Sequence, residues 1–255
     1  MSDRSLIVLG PGSRLAPARG VRLAADLGEV VVLDVFRDEY SALGPGVSAA
    51  VRWALNPADV PEPPNAVALV EPLVKNGLLG LAPVGTAGIT LPEPAEPGGV
   101  ASYRWTPHLS WAARSGVRAS TGQTARALAA IIRADRALRR GRLAGVLAWL
   151  RGRRAACRTG ATGPGSAVVA AELVDAHIRA RMLYPREIQC LAGSAALTAH
   201  AWTAGIPVRF VIGVQKYPFV AHAWVEFDSQ VLNDRHDVAR RLAPIVSIPV
   251  AHDHS

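Results

Sequence analysis

The stretch Gln189–Asp234 reads QCLAGSAALTAHAWTAGIPVRFVIGVQKYPFVAHAWVEFDSQVLND, and the predicted fold of the second half of the chain depends on it. Pro185, just upstream, is typical of a helix start, and Gly205 followed by Pro207 is typical of a helix stop. The residues between these signals are rich in alanine and leucine. A helix is therefore predicted over residues 188–204.

Strands are predicted after this helix, over residues 208–214 and 220–227, because both runs are rich in β-branched and aromatic residues. A shorter strand over 230–233 is expected to return antiparallel to the second run. A helix followed by antiparallel strands indicates an α+β fold for this part of the chain.

Three reactive side chains fall at defined places in this pattern. Cys190 lies in the first turn of the predicted helix, where unpaired backbone N–H groups and the helix dipole stabilise a thiolate. His222 lies on the second strand, and Asp234 follows the returning strand. A buried cysteine or a strand histidine alone is more often structural, but this order favours a nucleophile, a base and an orienting acid. The backbone N–H groups of Gln189 and Cys190 are the predicted oxyanion donors.

The orientation of Asp234 depends on the turn before it. A two-residue turn at 228–229 would pair residue 223 with Asp234, and the carboxylate would face away from His222. A three-residue turn or a bulge would pair residue 224 with Asp234 and place both side chains on one face. We therefore predict the second register.

A metal site is the alternative reading of these residues. His236, Asp237 and the tail 252–254 supply further ligand types, but Cys190 has no second cysteine or histidine at ligand spacing. No metal is predicted.

The first ninety residues are predicted to form a small winged-helix-like module of three antiparallel strands followed by helices. These residues carry 7 basic and 9 acidic side chains, which disfavours nucleic acid, because duplex binding depends on cations at phosphates. A plain α+β subdomain is one alternative. Capture of an extended peptide at the edge of the sheet is the other. The predicted strands are 21–27, 30–36 and 39–43, and the predicted helices are 48–55 and 66–79, the latter capped by Asn65 and containing Pro72.

The middle of the chain is strongly basic. Residues 91–188 carry 16 arginines against 6 acidic side chains, on helices predicted over 122–140, 143–151 and 168–183. A solvated helix face, an acidic peptide partner and nucleic acid are the possible explanations, in falling order. The predicted division is a module over 1–90, a Pro- and Gly-rich linker over 91–118, and a domain over 119–255.

Composition indicates a soluble protein of a reducing compartment. The chain has only 2 cysteines, which form no disulfide framework. Its first apolar run is too short for a signal peptide, and no long apolar segment is predicted to span a membrane. A cytoplasmic location is expected.

The motifs of the second half resemble the transglutaminase-like cysteine proteases and, more narrowly, the leader peptidases (B proteins) of lasso peptide biosynthesis. The residues that carry the likeness are Cys190-Leu191, Ser194, Leu197, Gly205-Ile206-Pro207, Gly213-Val214, Phe219, His222-Ala223-Trp224-Val225-Glu226 and Val231-Leu232-Asn233-Asp234. The first ninety residues resemble, more weakly, a precursor-recognition element. That likeness rests on Val32-Leu33-Asp34, Tyr40, Leu43-Gly44-Pro45 and Gly77-Leu78-Leu79.

The resemblance implies a fused leader-binding cysteine peptidase with a Cys190, His222 and Asp234 triad. It also implies a ribosomally made precursor peptide and an asparagine-synthetase-like lasso cyclase as partners. Family members are described as ATP-dependent, but the chain has no nucleotide motif, so no cofactor is predicted. The alternatives are a transglutaminase-type acyl transferase, and a non-catalytic peptide chaperone or DNA-binding regulator. The expected leader contacts are Glu39, Tyr40, Ser41, Ala42, Leu43, Val70 and Val74.

Overall fold

The computed structural model of the 255-residue chain describes residues 14–83, 85–100, 116–155 and 165–248. The chain divides into two compact units, residues 1–94 and residues 95–255. The elements of the first unit are β1 (Leu15–Pro17), β2 (Val21–Asp26), β3 (Glu29–Asp34), β4 (Glu39–Ala42), α1 (Pro45–Leu55), α2 (Ala66–Lys75) and β5 (Leu79–Leu81). Those of the second unit are α3 (Thr121–Ala155), α4 (Ser166–Leu183), α5 (Cys190–Thr203), β6 (Arg209–Gln215), β7 (Val220–Phe227), β8 (Gln230–Val231), α6 (Val238–Arg241) and β9 (Ala243–Ile248).

The first unit is built on the antiparallel sheet β2-β3-β4, in which β4 is an edge strand. The four apolar residues at the centre of β3 are all buried, so this strand is covered on both faces, as its sequence indicated. The predicted three-stranded antiparallel sheet is confirmed. The second, two-stranded sheet β1-β5 was not predicted, because each of its strands has only three residues.

Helix α2 differs from its prediction in two respects. Asn65 precedes it in the left-handed conformation and makes no side-chain cap hydrogen bond, so the predicted cap is wrong. The helix ends at Lys75, and Leu79 belongs to β5 instead of the helix. Pro72 lies within α2 without dividing it.

The residues on either side of position 94 are packed into their own units. Leu91 belongs to the core of the first unit, and the N–H of Ala25 donates to the carbonyl of Pro92 over 2.8 Å. Val100 is buried in the core of the second unit. Residues 101–115 of the predicted linker lie outside the described residues.

The second unit combines helices α3, α4 and α5 with the sheet β8-β7-β6-β9. α3 contains two helical stretches joined at Gly141 and Arg142, whose backbone angles are not helical, and the two helices predicted there are confirmed. β9 and α6 were not predicted. Within the described ranges, no helix is both long and apolar enough to cross a membrane. The α+β class is confirmed.

Candidate active site

Cys190 is the first residue of α5, and Gln189 occupies the N-cap position with an extended backbone. The helix thus begins two residues later than predicted, and the thiol lies at the helix start. Two backbone N–H groups, those of Leu191 and Ala223, form hydrogen bonds to this thiol. The end of a helix that carries unpaired N–H groups is a favourable place for a negative charge.

His222 lies between Cys190 and Asp234. Its Nε2 is 2.6 Å from Oδ2 of Asp234, and its ring also forms a hydrogen bond with the Cys190 thiol. Because Nε2 faces the carboxylate, Nδ1 is left for the sulfur. His222 and Asp234 are each only 2 % exposed. The structure therefore places the three predicted side chains in one hydrogen-bonded chain.

The electrostatics of this cluster favour charge separation. Burial opposes a charged imidazole, but the hydrogen bonds to Asp234 and Cys190 outweigh it and raise the pKa of His222 to about 9. Burial likewise opposes a thiolate, yet the hydrogen bond and the charge of His222 lower the pKa of Cys190 below its usual value. A thiolate beside an imidazolium is the form expected of an activated cysteine.

The predicted register of the β7–β8 turn is wrong. Phe227 pairs with Gln230 and Glu226 with Val231, which leaves a two-residue turn at 228–229. Both turn residues have positive φ, 48° and 60°. This is the backbone of the favoured tight hairpin turns, whose twist matches that of the strands. If this pairing continued unchanged to residue 234, the side chain of Asp234 would point away from His222.

Asp234 reaches His222 because the chain leaves the sheet before it. Leu232 still donates its N–H to the carbonyl of Val225 over 2.9 Å. The reciprocal bond is replaced: the N–H of Val225 donates to Oδ1 of Asn233 over 2.8 Å. The ladder therefore ends at this point, and Asp234 is oriented by local contacts, among them the N–H of Arg235, which donates to its Oδ1 over 2.7 Å.

Ser194 and Asn233 connect the helix to the strand that bears the histidine. Ser194 is fully buried, and its hydroxyl donates to the carbonyl of Ala223 over 2.8 Å. The side-chain amide of Asn233 donates to the same hydroxyl over 2.8 Å. Ser194 lies four residues after Cys190, on the same face of α5. Residue reasoning alone assigned neither of them a role, since only the family resemblance singled them out.

Trp224 supports the histidine from the neighbouring position on the same face of β7. Its ring is stacked with that of His222, at 6.4 Å between centroids and 13° between planes. Its Nε1 donates to Oε1 of Glu226 over 2.7 Å, and Glu226 also accepts from Nε of Arg209 over 2.9 Å. A Cβ on Gly213 would lie 2.4 Å from the Trp224 ring, so only glycine fits beside the indole.

Two further histidines, His177 and His200, contact each other in the same unit. Nδ1 of His200 is 3.2 Å from Nε2 of His177, and both rings are buried. Burial, together with the charge of Arg126, lowers the pKa of His200 to about 4. Burial also lowers the pKa of His177 well below its usual value. Both imidazoles are therefore neutral at physiological pH.

The sequence has metal-ligand residue types at two places, His236-Asp237 and the tail 252–254. In the described part of the chain, no group of three or more His, Cys, Asp or Glu residues is arranged to hold a metal ion. Asp237 pairs with Arg235 and Arg241. The tail 252–254 lies outside the described residues.

The predicted leader contacts lie in the first unit, and the structure separates them into two groups. Glu39, Ser41 and Ala42 are exposed on the edge strand β4, and Tyr40 and Leu43 are half-buried. Val70 is only 2 % exposed and belongs to the core, so its side chain is not available at the surface of the first unit. Val74 is partly buried against the same core.

Comparison with known proteins agrees with this geometry. Residues 134–247 match the transglutaminase-like superfamily, and this segment contains Cys190, His222 and Asp234. The C-terminal part of the chain therefore carries a transglutaminase-like domain.

A particular relative is the microcin J25-processing protein McjB of Escherichia coli. The two are 39 % identical over 59 residues, which is 23 % of this chain and 28 % of that protein. The chain thus covers less than a third of the relative that it matches. No solved structure shows a significant match. Together the two matches confirm the resemblance to lasso peptide B proteins that the sequence indicated.

Proposed function

We propose that this protein is a cysteine peptidase that binds the leader of a ribosomally made lasso peptide precursor and cleaves it from the core peptide. The observation that carries the proposal is the hydrogen-bonded chain from Cys190 through His222 to Asp234. It lies in a transglutaminase-like domain. The partial identity to a microcin J25-processing protein supports the substrate class.

The first step is acylation of Cys190. The thiolate attacks the scissile carbonyl, and the negative oxygen that forms is held by backbone N–H groups at the start of α5, with Gln189 and Cys190 as the proposed donors. The His222 imidazolium gives its proton to the leaving amine. The C–N bond then breaks, and a thioester and a free core-peptide N terminus result.

The second step is hydrolysis of the thioester. Neutral His222 takes a proton from water, and the hydroxide adds to the thioester carbonyl. The C–S bond breaks, which returns the thiolate and the imidazolium and releases the leader with a new carboxyl group. Asp234 holds the ring tautomer and orientation throughout and stabilises the imidazolium. These steps use only water and the side chains and backbone N–H groups of this protein.

The first unit is the proposed leader-binding module. β4 is an edge strand of its sheet, and an extended leader segment would add beside it through backbone hydrogen bonds. Glu39, Tyr40, Ser41, Ala42 and Leu43 are the proposed contacts along this edge. The freed core peptide would pass to an asparagine-synthetase-like cyclase, and both proteins would act in the cytoplasm.

The decisive experiment is incubation of the protein with candidate lasso precursor peptides from neighbouring reading frames, in 18O-labelled water, followed by mass spectrometry. Hydrolysis predicts a leader fragment that carries one 18O atom at its new C terminus. Transfer to an added amine would give an unlabelled amide instead and would favour a transglutaminase.

Variants at the two cysteines complete the test. Cys190→Ala should abolish cleavage and leave leader affinity unchanged, whereas Cys157→Ala, the matched control, should cleave at the wild-type rate. Cleavage by the Cys190→Ala protein would disprove the proposed nucleophile. Leader binding that survives deletion of residues 1–90 would disprove the proposed recognition module.

A further inference from the structure

A cavity of about 200 Å³ lies between α3 and the last turns of α5. It takes no part in the proposed chemistry, because Cys190 is at the opposite end of α5 from His200, which lines the cavity. Ten residues of helix separate the two positions by roughly 15 Å. The lining residues are Arg126, Ala129, Ala130, Arg133, Trp149, Arg153, Ala199, His200 and Thr203.

The charge around this cavity is positive and unbalanced. Arg126, Arg133 and Arg153 line it, and no acidic side chain does. Among the described residues, none of these three arginines forms an ion pair or a side-chain hydrogen bond. Other arginines of the same unit do have partners: Arg139 pairs with Asp135 at 3.0 Å and Arg179 with Asp175 at 2.8 Å.

The floor of the cavity provides no compensating negative charge. Three alanines and the half-buried Trp149 are the apolar residues of its lining. His200 is neutral and already contacts His177, so it neither adds a fourth cation nor accepts an ion pair. Arg126 and Arg133 are exposed and Arg153 is half-buried. Three like charges around one cavity repel each other, and a bound anion would reduce this repulsion.

Size and charge together define the ligand. A volume of about 200 Å³ is below the roughly 300–1,000 Å³ of drug-sized sites, so the ligand is compact. Guanidinium groups recognise phosphate and carboxylate oxygens through paired hydrogen bonds. A single acidic side chain would neutralise only one of the three arginines. A compact polyanion would neutralise two or three.

We propose that this cavity, the α3–α5 pocket, binds a compact multiply charged oxyanion of the phosphate or polycarboxylate class. Arg126, Arg133 and Arg153 would hold the oxygens, and Trp149 would cover the apolar side of the ligand. This site is separate from the proposed peptidase site and does not depend on the proposed function.

The test is isothermal titration calorimetry of the full chain with three probes: pyrophosphate, citrate and an acidic peptide of consecutive glutamates. Saturable binding of pyrophosphate alone would assign the site to phosphates, and binding of citrate alone would assign it to polycarboxylates. Binding of both supports the shared chemistry. Binding of neither, or of the acidic peptide alone, would overturn the proposal.

Substitutions locate the binding. Arg126→Gln, Arg133→Gln and Arg153→Gln should each weaken the tightest probe by about tenfold, as expected for loss of a hydrogen bond between charged groups. Arg136→Gln is the matched control, because Arg136 is an exposed arginine of α3 outside the cavity lining. It should change the affinity less than about twofold. An equal loss in the control would show diffuse surface attraction and would disprove the pocket.

A measurement on the unmodified protein guards against unfolding of the variants. Bound anion beside Arg126 should shift the imidazole NMR signals of His200 and leave those of His222 in place. Shifts confined to His222 would place the anion at the peptidase site and overturn the assignment.

Discussion

Asn233 donates its side-chain amide to the hydroxyl of Ser194 over 2.8 Å. The side-chain oxygen of Asn233, Oδ1, accepts a hydrogen bond from the N–H of Val225. Ser194 in turn donates its hydroxyl to the carbonyl of Ala223. One asparagine therefore ties the helix that carries Cys190 to the strand that carries His222. It does so from the position immediately before Asp234. Asn233 and Ser194 are positioning residues for the proposed reaction.

We expect Ser194→Ala to lower kcat by about tenfold or more and to leave KM nearly unchanged. The substitution leaves the partly buried amide of Asn233 without its acceptor, which costs up to about 1–3 kcal/mol. It also loosens the contact between His222 and Asp234. Steady-state kinetics on the precursor would measure the effect.

Ser247→Ala is the control for this prediction, because Ser247 is an exposed residue of β9 in the same unit. Its kinetics should match those of the wild type. An effect of Ser194→Ala on KM alone would contradict a positioning role. A pH profile of the Ser194→Ala protein whose loss of activity at high pH falls at the wild-type pH would also contradict this role.

The pH dependence of cleavage should be bell-shaped, with the alkaline limb near pH 9. The proposed active form is the thiolate–imidazolium pair. Activity is lost at high pH as His222, whose pKa is raised to about 9, loses its proton. It is lost at low pH as the Cys190 thiolate, whose pKa is lowered, is protonated.

The Asp234→Asn variant tests the cause of that limb. The amide removes the charge that stabilises the imidazolium, so the alkaline limb should move to lower pH. A profile of kcat/KM against pH for both proteins provides the measurement. An unshifted limb would show that Asp234 does not control the pKa of His222.

Gly213→Ala should destabilise the protein by about 1–3 kcal/mol, the usual cost of overpacking. The new Cβ would lie 2.4 Å from the Trp224 ring and 2.9 Å from Cβ of Leu242, and Trp224 is stacked with His222. Urea unfolding would measure the loss of stability, and kcat should fall as well.

Gly152→Ala is the matched control for this substitution. A Cβ there meets nothing within 4 Å and lies on helix α3. It should stabilise the protein slightly, by up to about 1 kcal/mol. Similar losses in both variants would refute the packing argument.

Ser229→Gly should raise the free energy of unfolding by up to about 1 kcal/mol. Ser229 has a φ of 60° in the two-residue turn, a conformation that glycine adopts without strain. The β2–β3 turn offers the reverse test, since Gly28 there has a φ of 80°. Gly28→Ser should lower the free energy of unfolding by a similar amount. A lower Tm for Ser229→Gly, or a higher Tm for Gly28→Ser, would contradict the turn assignment.

The parts of the site that were predictable follow from local signals. The helix start signal at Pro185 placed Cys190 near a helix start, and the alternation of strand residues put His222 and Trp224 on one face of β7. The register of the turn was mispredicted, because parity assumes that the ladder continues to Asp234. Asn233 ends the ladder by replacing a backbone carbonyl with its own side chain, and local pattern does not reveal this contact.

Other features depended on contacts between distant segments. β9 pairs with β6 from beyond Asp234, and the three-residue strands β1 and β5 pair across more than sixty residues. Val70 was predicted as a leader contact on a helix with an apolar stripe. That stripe faces the core, and the burial of Val70 follows from the packing of the first unit.

The end of the ladder before Asp234 also has a dynamic consequence. Strands β6 and β7 each have a neighbouring strand on both sides, whereas the residues after Leu232 are held by side-chain hydrogen bonds. A brief opening of residues 232–235 would detach the acid from the histidine while the sheet stays folded. In hydrogen–deuterium exchange, the amide of Arg235 should therefore exchange well before those of β6. The fraction of molecules in which Asp234 contacts His222 would then vary more with temperature than any other contact of the site.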